Sequence, residues 1–147
     1  MHFNGHGSEG GGQVTTSSLV ICATNWPGRS LSELNLHYLK VAVWEGCYTA
    51  LTDASAYKFG NIMEQTHDQG AACAVGFKDE ISWDPSSLAA TRQWANAFWQ
   101  ALAQGNSVQQ AFIPALRAVQ VGNEGATWGF DSADWAGDSS VVIMPVK

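Results

Sequence analysis

The sequence predicts an α/β domain built on a mostly parallel sheet with helices on both faces. Apolar segments of strand length alternate with segments of helical periodicity, in the order strand, loop, strand, helix, strand, helix, helix, strand. The clearest strand segments, 39–44 and 71–77, are almost continuously apolar, which is typical of central strands that are covered on both faces of a sheet.

The composition supports one globular domain over residues 1–147. Of the 147 residues, 46% are apolar and 14% are charged, which is too apolar for a disordered chain. No apolar run is long enough to span a bilayer, so no membrane contact is expected. The net charge is −6 and Lys and Arg do not cluster, which argues against nucleic acid as the main partner. With no visible signal peptide and no cysteine pairing pattern, we expect a cytoplasmic protein.

The N-terminal region is rich in glycine and serine. Residues 1–18 are predicted as a strand stub followed by a flexible loop, and residues 19–24 as a short strand. A helix is predicted over 53–69, with Asp53 at its N-terminus. The apolar stretch 141–146 is predicted as the strand that closes the sheet.

Helix signals are strongest in the second half of the chain. Asp84 and Pro85 provide an N-cap and a proline for the first turn of one helix, and Gly105 ends it. The apolar side chains on one face of this helix are predicted as core: Trp94, Ala95, Phe98, Trp99 and Leu102. Ser107 and Gln110 form a capping box for the next helix.

The three cysteines, Cys22, Cys47 and Cys73, differ in their settings. Their odd number and wide spacing do not form a disulfide framework, and no CxxC pair suggests zinc. Cys22 and Cys73 lie within apolar strand segments, where a cysteine is usually an inert small hydrophobe. Cys47 follows Gly46 at the end of a buried strand, so its thiol can reach the rim of the sheet as a nucleophile. The alternative for Cys47 is an ordinary half-buried cysteine.

His6 lies in a glycine-flanked segment, HFNGHGSEGG, in which the backbone can turn sharply and approach a ligand closely. The N–H of Gly7 is then available to point at a developing oxyanion together with the N–H of Cys47. The alternative is a flexible tail that holds two histidines by chance. His2 and His6 do not share a helix face, so neither a metal nor another cofactor is expected.

Taken together, four segments resemble the caspase-like (clan CD) cysteine peptidases. HFNGHGS is similar to the His motif of that family, and VAVWEGCYTA to the strand that ends in a small residue and the nucleophilic cysteine. DQGAACAVGFKDEI resembles the following strand, rich in glycine and alanine, and FWQALAQGNSVQQAF the next helix, its G-x-S-V turn and the start of another helix. The resemblance covers residues 2–120 and is closest to the bacterial CHAT-type branch, with separases and metacaspases more distant.

The resemblance implies an endopeptidase with a His6–Cys47 dyad, a peptide or protein substrate and no cofactor. Cys47 would attack the scissile carbonyl to give an acyl-enzyme, and His6 would protonate the leaving amine. The backbones of Gly7 and Cys47 would form the oxyanion hole. The loop after the 71–77 strand would form a wall of the substrate cleft, with the substrate-binding residues Lys78, Asp79, Glu80 and Trp83. An acidic pocket for Arg or Lys, drawn from Asp53, Asp79, Glu80 or Asp84, is one option for specificity, and solvated loop acids are the other.

Two departures from the family pattern leave other interpretations open. The two strands that precede the His motif in the family are absent here, so we expect a second copy, as a homodimer, or an upstream partner chain to cover the exposed sheet edge. Tyr48, Thr49 and Ala50 follow the cysteine where CHAT-type sequences usually end in glycine. An inactive caspase-like scaffold for protein contacts is therefore the alternative function. A third interpretation is an α/β domain with chance motif matches, in which residues 1–18 would be disordered.

Overall fold

The computed structural model describes an α/β fold over residues 1–7, 13–15, 20–22, 30–51, 61–81 and 88–143. Within these ranges the strands are β1 His2–Asn4, β2 His6–Gly7, β3 Gln13–Thr15, β4 Val20–Cys22, β5 Val41–Glu45, β6 Cys73–Phe77 and β7 Ala133–Gly137. The α-helices are α1 Ile62–Asp68, α2 Leu88–Ala103 and α3 Val108–Gly122. None of these helices combines the length and the apolar character needed to cross a membrane.

A four-stranded sheet forms the centre of the fold, in the order β1-β5-β6-β7. β5 runs parallel to both of its neighbours, with Phe3 paired to Trp44 and Val43 paired to Val75. β7 is antiparallel to β6, with Trp135 opposite Val75. The predicted α/β class with a mostly parallel sheet is therefore confirmed. Within the described part of the chain β1 pairs with β5 and with no further strand, so the expected second copy or upstream chain stays a prediction.

Side chains of the central strands alternate between the two faces of the sheet. Val41 and Val43 of β5 pack with residues of α2 and α3. The residue between them, Ala42, packs instead with Met63 of α1. Because successive residues of a strand point to opposite faces, helices cover both faces of this sheet, as predicted.

The predicted aromatic face of α2 lies in the core. The Trp94 ring stacks on Phe98 with centroids 4.8 Å apart, and Phe77 of β6 meets Trp94 edge-on at 5.1 Å. These three rings are fully buried. Trp99 is only partly buried and meets Phe98 edge-on at 5.6 Å. Large rings bury the most apolar surface per residue, so this cluster fixes α2 against the sheet.

The described part of the helix predicted over 53–69 is α1, Ile62–Asp68. Asn61 caps α1, because its side-chain oxygen accepts a hydrogen bond from the Met63 N–H at 2.8 Å. The prediction of one continuous helix over 53–69 is therefore wrong at Asn61, whose backbone is extended, and residues 52–60, Asp53 among them, lie outside the described residues. α1 ends before Gly70, whose φ of +107° is a conformation that glycine adopts at low cost.

The predicted signals between the second and third helices are confirmed. Gly105 follows α2 with a φ of +88°. Ser107 and Gln110 form the capping box of α3: the Ser107 N–H donates to Gln110 Oε1 at 2.9 Å, and the Gln110 N–H donates to Ser107 Oγ at 3.3 Å. The predicted N-cap of α2, Asp84 with Pro85, lies outside the described residues.

The N-terminal region contains more strand than predicted. β2, β3 and β4 form a second, antiparallel sheet, so part of the loop predicted over 1–18 is strand. The described part of the strand predicted over 19–24, Val20–Cys22, lies in this smaller sheet. The chain passes from the main sheet into the second one at Gly5, where a Cβ atom would lie only 2.5 Å from the Thr15 carbonyl oxygen. Strand pairing uses backbone groups, so a segment with few apolar side chains can still form a ladder.

Among the described strands, the outer neighbour of β6 in the main sheet is β7. The predicted closing strand was the segment 141–146. All of β7 pairs with β6, although its glycine and aspartate residues gave no strand pattern. Over residues 141–143 the structure has one isolated bridge, between Ser107 and Val142, and residues 144–147 lie outside the described part. The prediction is therefore wrong for 141–143, because β6 already has β7 as its outer neighbour.

Candidate active site

The carboxyl end of β5 leads into a turn that is bound to two strands and carries Cys47. Thr49 is fully buried, and its Oγ1 donates to the Trp44 carbonyl oxygen at 2.8 Å and accepts from the Phe77 N–H at 3.0 Å. The Ala50 N–H donates to the Phe77 carbonyl oxygen at 2.9 Å. These bonds join the ends of β5 and β6, so the position of Cys47 is set by both strands.

Cys47 is enclosed by the loop that follows β6. Its exposed fraction is 9%, and its Sγ donates to the Ile81 carbonyl oxygen at 3.4 Å. The next residue, Tyr48, has a φ of +58°, and its N–H donates to the Asp79 carbonyl oxygen at 3.1 Å. A side-chain-bearing residue in the left-handed region costs about 1–3 kcal/mol and persists only where its surroundings hold it. The predicted nucleophile therefore lies on a strained turn.

β2 brings the His6–Gly7 segment directly against this turn. A Cβ atom at Gly7 would overlap the carbonyl oxygen of Cys47 and would lie 2.9 Å from the backbone nitrogen of Cys47. A Cβ atom at Gly46 would lie 3.1 Å from the Gly7 nitrogen. Both glycines are thus required by close approach of two backbones. The exposed His6 side chain is carried by the residue next to this contact. The segments that hold His6 and Cys47 are neighbours in space although they are far apart in the chain.

The loop predicted as a cleft wall lies beside Cys47 through its backbone, and its side chains differ in their roles. Lys78 forms an ion pair with Asp134 of β7, with 2.7 Å between Nζ and Oδ2. The Asp79 and Glu80 side chains are exposed. Trp83, the remaining predicted substrate-binding residue, lies outside the described residues. Lys78 is therefore engaged across the sheet edge, and its predicted contact with substrate would have to compete with that pair.

One charged residue of the site region was missed by the sequence analysis. Glu45, the last residue of β5, has no exposed surface. Its Oε2 lies 2.9 Å from His2 Nε2 and accepts from Asn4 Nδ2 at 2.9 Å. Its Oε1 has no hydrogen-bond partner in the described part of the chain. A carboxylate at the end of the apolar stretch VAVWE was the available signal, because buried acids are rare unless they are paired.

The second cysteine with described surroundings, Cys73, lies within a strand rather than after one. Cys73 begins β6 and is fully buried. Burial, and then the negative charge of Asp138, raise the pKa of the Cys73 thiol to about 12. A thiol with that pKa stays protonated at neutral pH and is a poor nucleophile. Among the described residues, no group of three or more His, Cys, Asp or Glu side chains is arranged to hold a metal ion.

Around Cys47 the structure brings together a thiol and the β2 segment that carries His6 and Gly7. A thiol and an imidazole are groups that serve acyl transfer in proteins. A cavity of about 370 Å³ lies elsewhere, between α2 and α3, lined by Ala97, Gln100, Ala101, Gln104, Asn106 and Pro114. Comparison with protein-family models and with curated proteins gives no match. The functional assignment therefore depends on the chemistry of these residues.

Proposed function

We propose that the chain is a cysteine endopeptidase of the caspase-like type, in which His6 and Cys47 hydrolyse a peptide bond through an acyl-enzyme. The observation that supports this proposal is the backbone contact between Gly7 and Cys47. It brings the residue next to His6 against the residue that bears the thiol. The contact lies at the carboxyl ends of parallel strands, where α/β proteins commonly bind their ligands.

The proposed chemistry is an acyl transfer in two steps. In the first step His6 takes the thiol proton of Cys47, the sulfur bonds to the scissile carbonyl carbon, and the C–N bond breaks as His6 gives that proton to the leaving amine. In the second step His6 takes a proton from water, the hydroxide oxygen bonds to the same carbon, and the C–S bond breaks. The sulfur then regains its proton from His6, and the carboxylic acid leaves.

The donors proposed for the oxyanion are the backbone N–H groups of Gly7 and Cys47. An oxyanion hole needs fixed donors at one point, because the charge develops only in the transition state. Two features support this role: the close packing of the two backbones, and the buried Thr49 that ties the Cys47 turn to β5 and β6. The Ile81 carbonyl that now accepts from the thiol would lose its partner when the sulfur attacks.

The decisive test compares the alkylation rates of two thiols in one protein. In a Cys22→Ala background, iodoacetamide at pH 7.5 should modify Cys47 at least about 100-fold faster than Cys73, because nucleophilicity follows the thiolate fraction. His6→Ala should slow Cys47 by at least about tenfold, because the imidazole no longer accepts the thiol proton. Mass spectrometry of peptides from timed samples gives both rates.

The matched control is His67→Ala. His67 lies in α1, with its Nδ1 2.9 Å from the Ala71 carbonyl oxygen, and this change should leave the Cys47 rate as it is. An acyloxymethyl ketone peptide, which needs both a thiolate and a cleft, should then label Cys47 alone. Equal alkylation of Cys47 and Cys73, or a Cys47 rate that ignores His6→Ala, would remove the peptidase proposal.

An inactive scaffold for protein contacts is the second candidate, and the low exposure of Cys47 favours it. A thiol that is 9% exposed and donates to the Ile81 carbonyl has to leave its present contact before it can react. In that case Cys47 serves as a small core residue of the cluster shared with α2 and α3. The scaffold would give slow alkylation at Cys47 and no labelling by the peptide ketone.

A further inference from the structure

We propose that the buried Glu45 carboxylate is a tether that holds β1, and with it the His6–Gly7 segment, over Cys47. In this inference, which rests on the proposed peptidase function, His2 and Asn4 are positioning residues. They touch neither the thiol nor the scissile bond in that scheme. They act indirectly, because they hold in position the strand β1, which leads to the proposed general acid His6.

The tether joins an edge strand to the centre of the sheet. β1 is short, His2–Asn4, and has β5 as its partner among the described strands. Both polar side chains of β1 meet the same carboxylate oxygen, Oε2 of Glu45, at 2.9 Å. The backbone adds a bond at the same level, from the Gly5 N–H to the Glu45 carbonyl oxygen at 3.2 Å.

The unpartnered oxygen makes the two donors indispensable. Oε1 of Glu45 has no hydrogen-bond partner within the described residues. In this part of the chain, His2 and Asn4 therefore supply all of the hydrogen bonds to the buried carboxylate. Removing one partner of a buried charge leaves it uncompensated, which is far more costly than losing a surface contact. The least costly relief is local: β1 separates from β5 and lets water reach the carboxylate.

Such an opening would act directly on the site. β1 continues through Gly5 into His6 and Gly7, and Gly7 packs against the Cys47 backbone. Separation of β1 therefore withdraws both the imidazole and one oxyanion donor from the thiol. The opposite face of β1 is held differently, by the Phe3 ring against Trp44 with centroids 5.5 Å apart. That apolar contact provides the comparison that the experiment needs.

The experiment measures amide hydrogen exchange at Gly5 and the alkylation rate of Cys47 by iodoacetamide in the full chain. His2→Phe keeps a ring beside Trp99, now 5.9 Å from the His2 ring, but removes the donor. It should raise exchange at Gly5 at least about tenfold relative to Ala72, whose N–H is bound to Leu39 at the other end of the strands, and should slow Cys47 by a similar factor.

His2→Gln is the rescue variant, because its side-chain amide can still donate to Glu45. It should keep both rates within about twofold of the unaltered protein, a change below about 0.4 kcal/mol. The double variant His2→Phe with Glu45→Leu should also restore slow exchange at Gly5, since no buried charge remains to be hydrated.

Phe3→Leu is the matched control on the same strand. It weakens the packing of β1 without exposing a charge, so it should raise the ratio of Gly5 to Ala72 exchange far less than His2→Phe does. Equal local opening in Phe3→Leu and His2→Phe, or no rescue by His2→Gln, would overturn the tether. Slow alkylation of Cys47 in the unaltered protein, together with the expected exchange pattern, would overturn the peptidase and support the tether as a structural device.

Discussion

Cys47 and Cys73 belong to one apolar cluster on the sheet, and yet their backbone surroundings differ. Cys73 opens β6 and is paired in register with Val41 on one side and Gly137 on the other. Cys47 comes just after β5 has ended, where the turn that follows meets another part of the chain, at Gly7. The two thiols therefore differ in their place along the strand.

The difference shows what the end of a parallel strand provides. Within the ladder, Cys73 has neighbours on both sides and no exposed surface, so its thiol is held in the protonated form. Beyond the ladder, the loops after β5 and β6 and the start of β2 converge on Cys47. Segments from several parts of the chain can therefore reach Cys47, whereas Cys73 has a paired strand on each side.

Gly7→Ala should have the largest effect on this comparison. The added Cβ would overlap the Cys47 carbonyl, a backbone atom that cannot move without disturbing its turn, so β2 must separate from the site. We expect the alkylation rate of Cys47 to fall at least about tenfold and the free energy of unfolding to fall by about 1–3 kcal/mol. Cys73 should stay unreactive. Alkylation kinetics and urea unfolding measure the two effects.

The control for that change is Gly122→Ala in the last turn of α3. There the added Cβ would meet the side-chain amide of Gln93, which can rotate away at the cost of the hydrogen bond that its Oε1 accepts from Asn123 Nδ2. The free energy of unfolding should change by about 1 kcal/mol or less, the worth of one hydrogen bond, and the Cys47 rate should not change. If Gly7→Ala behaves as Gly122→Ala does, the close packing of Gly7 against Cys47 is wrong.

Thr49→Val should have a smaller effect on alkylation than Gly7→Ala. Of the two thiols, only Cys47 should change its rate. The substitution keeps the shape but removes the acceptor of the buried Phe77 N–H, at a cost of about 1–3 kcal/mol in the free energy of unfolding. The Cys47 rate should fall by less than in Gly7→Ala, because the turn loosens but Gly7 stays in place. Thermal or urea unfolding and alkylation kinetics report the two changes.

Thr66→Val is the matched change at a distance from the site. Thr66 is equally buried, donates to the Ile62 carbonyl at 2.6 Å and accepts from Trp44 Nε1 at 2.8 Å. It should lose a comparable free energy of unfolding and leave the reactivity of Cys47 unchanged. A drop in the Cys47 rate in both valine variants would mean that the rate follows global stability rather than the geometry of the turn.

Cys73 should affect the pH dependence of the free energy of unfolding rather than the alkylation pattern. Its pKa is raised to about 12 from an ordinary value of 9.0, so the unfolded chain releases this proton first as the pH rises. The free energy of unfolding should be unaffected by Cys73 below pH 9 and should fall by about 1.4 kcal/mol per pH unit above it, up to the folded pKa. The measurement is urea unfolding between pH 8 and pH 10.5, for the unaltered chain and for Cys73→Ala.

The alanine variant should lack this part of the alkaline slope, while the titration of lysines and tyrosines stays common to both proteins. Identical slopes in the two proteins would show that the Cys73 thiol is not held in its protonated form by the fold. Of the changes at Gly7, Thr49 and Cys73, the change at Cys73 should have the smallest effect on the site, because it does not involve Cys47.

The parts of the fold with strong local signals were predicted well. The continuous apolar segment became β5, the aromatic face of α2 became core, and the capping box of Ser107 and Gln110 formed as expected. The misses share a physical cause. The sequences of β3 and β7 and their flanks are rich in glycine, polar or acidic residues. These segments are strands because their backbones pair with distant parts of the chain, and a local sequence pattern does not predict such pairing.

The candidate site divides in the same way. Chemical type and position singled out Cys47, because the sequence shows where a thiol follows a buried strand, and they singled out His6 through its flanking glycines. The sequence also shows that residue 7 is a glycine and has no side chain. Tertiary structure alone decided that Gly7 packs on Cys47, that Glu45 is buried beneath His2 and Asn4, and that Cys73 is held protonated. Local preferences extend over a turn or two, whereas these contacts join segments far apart in the chain and exist only once the sheet has set their register.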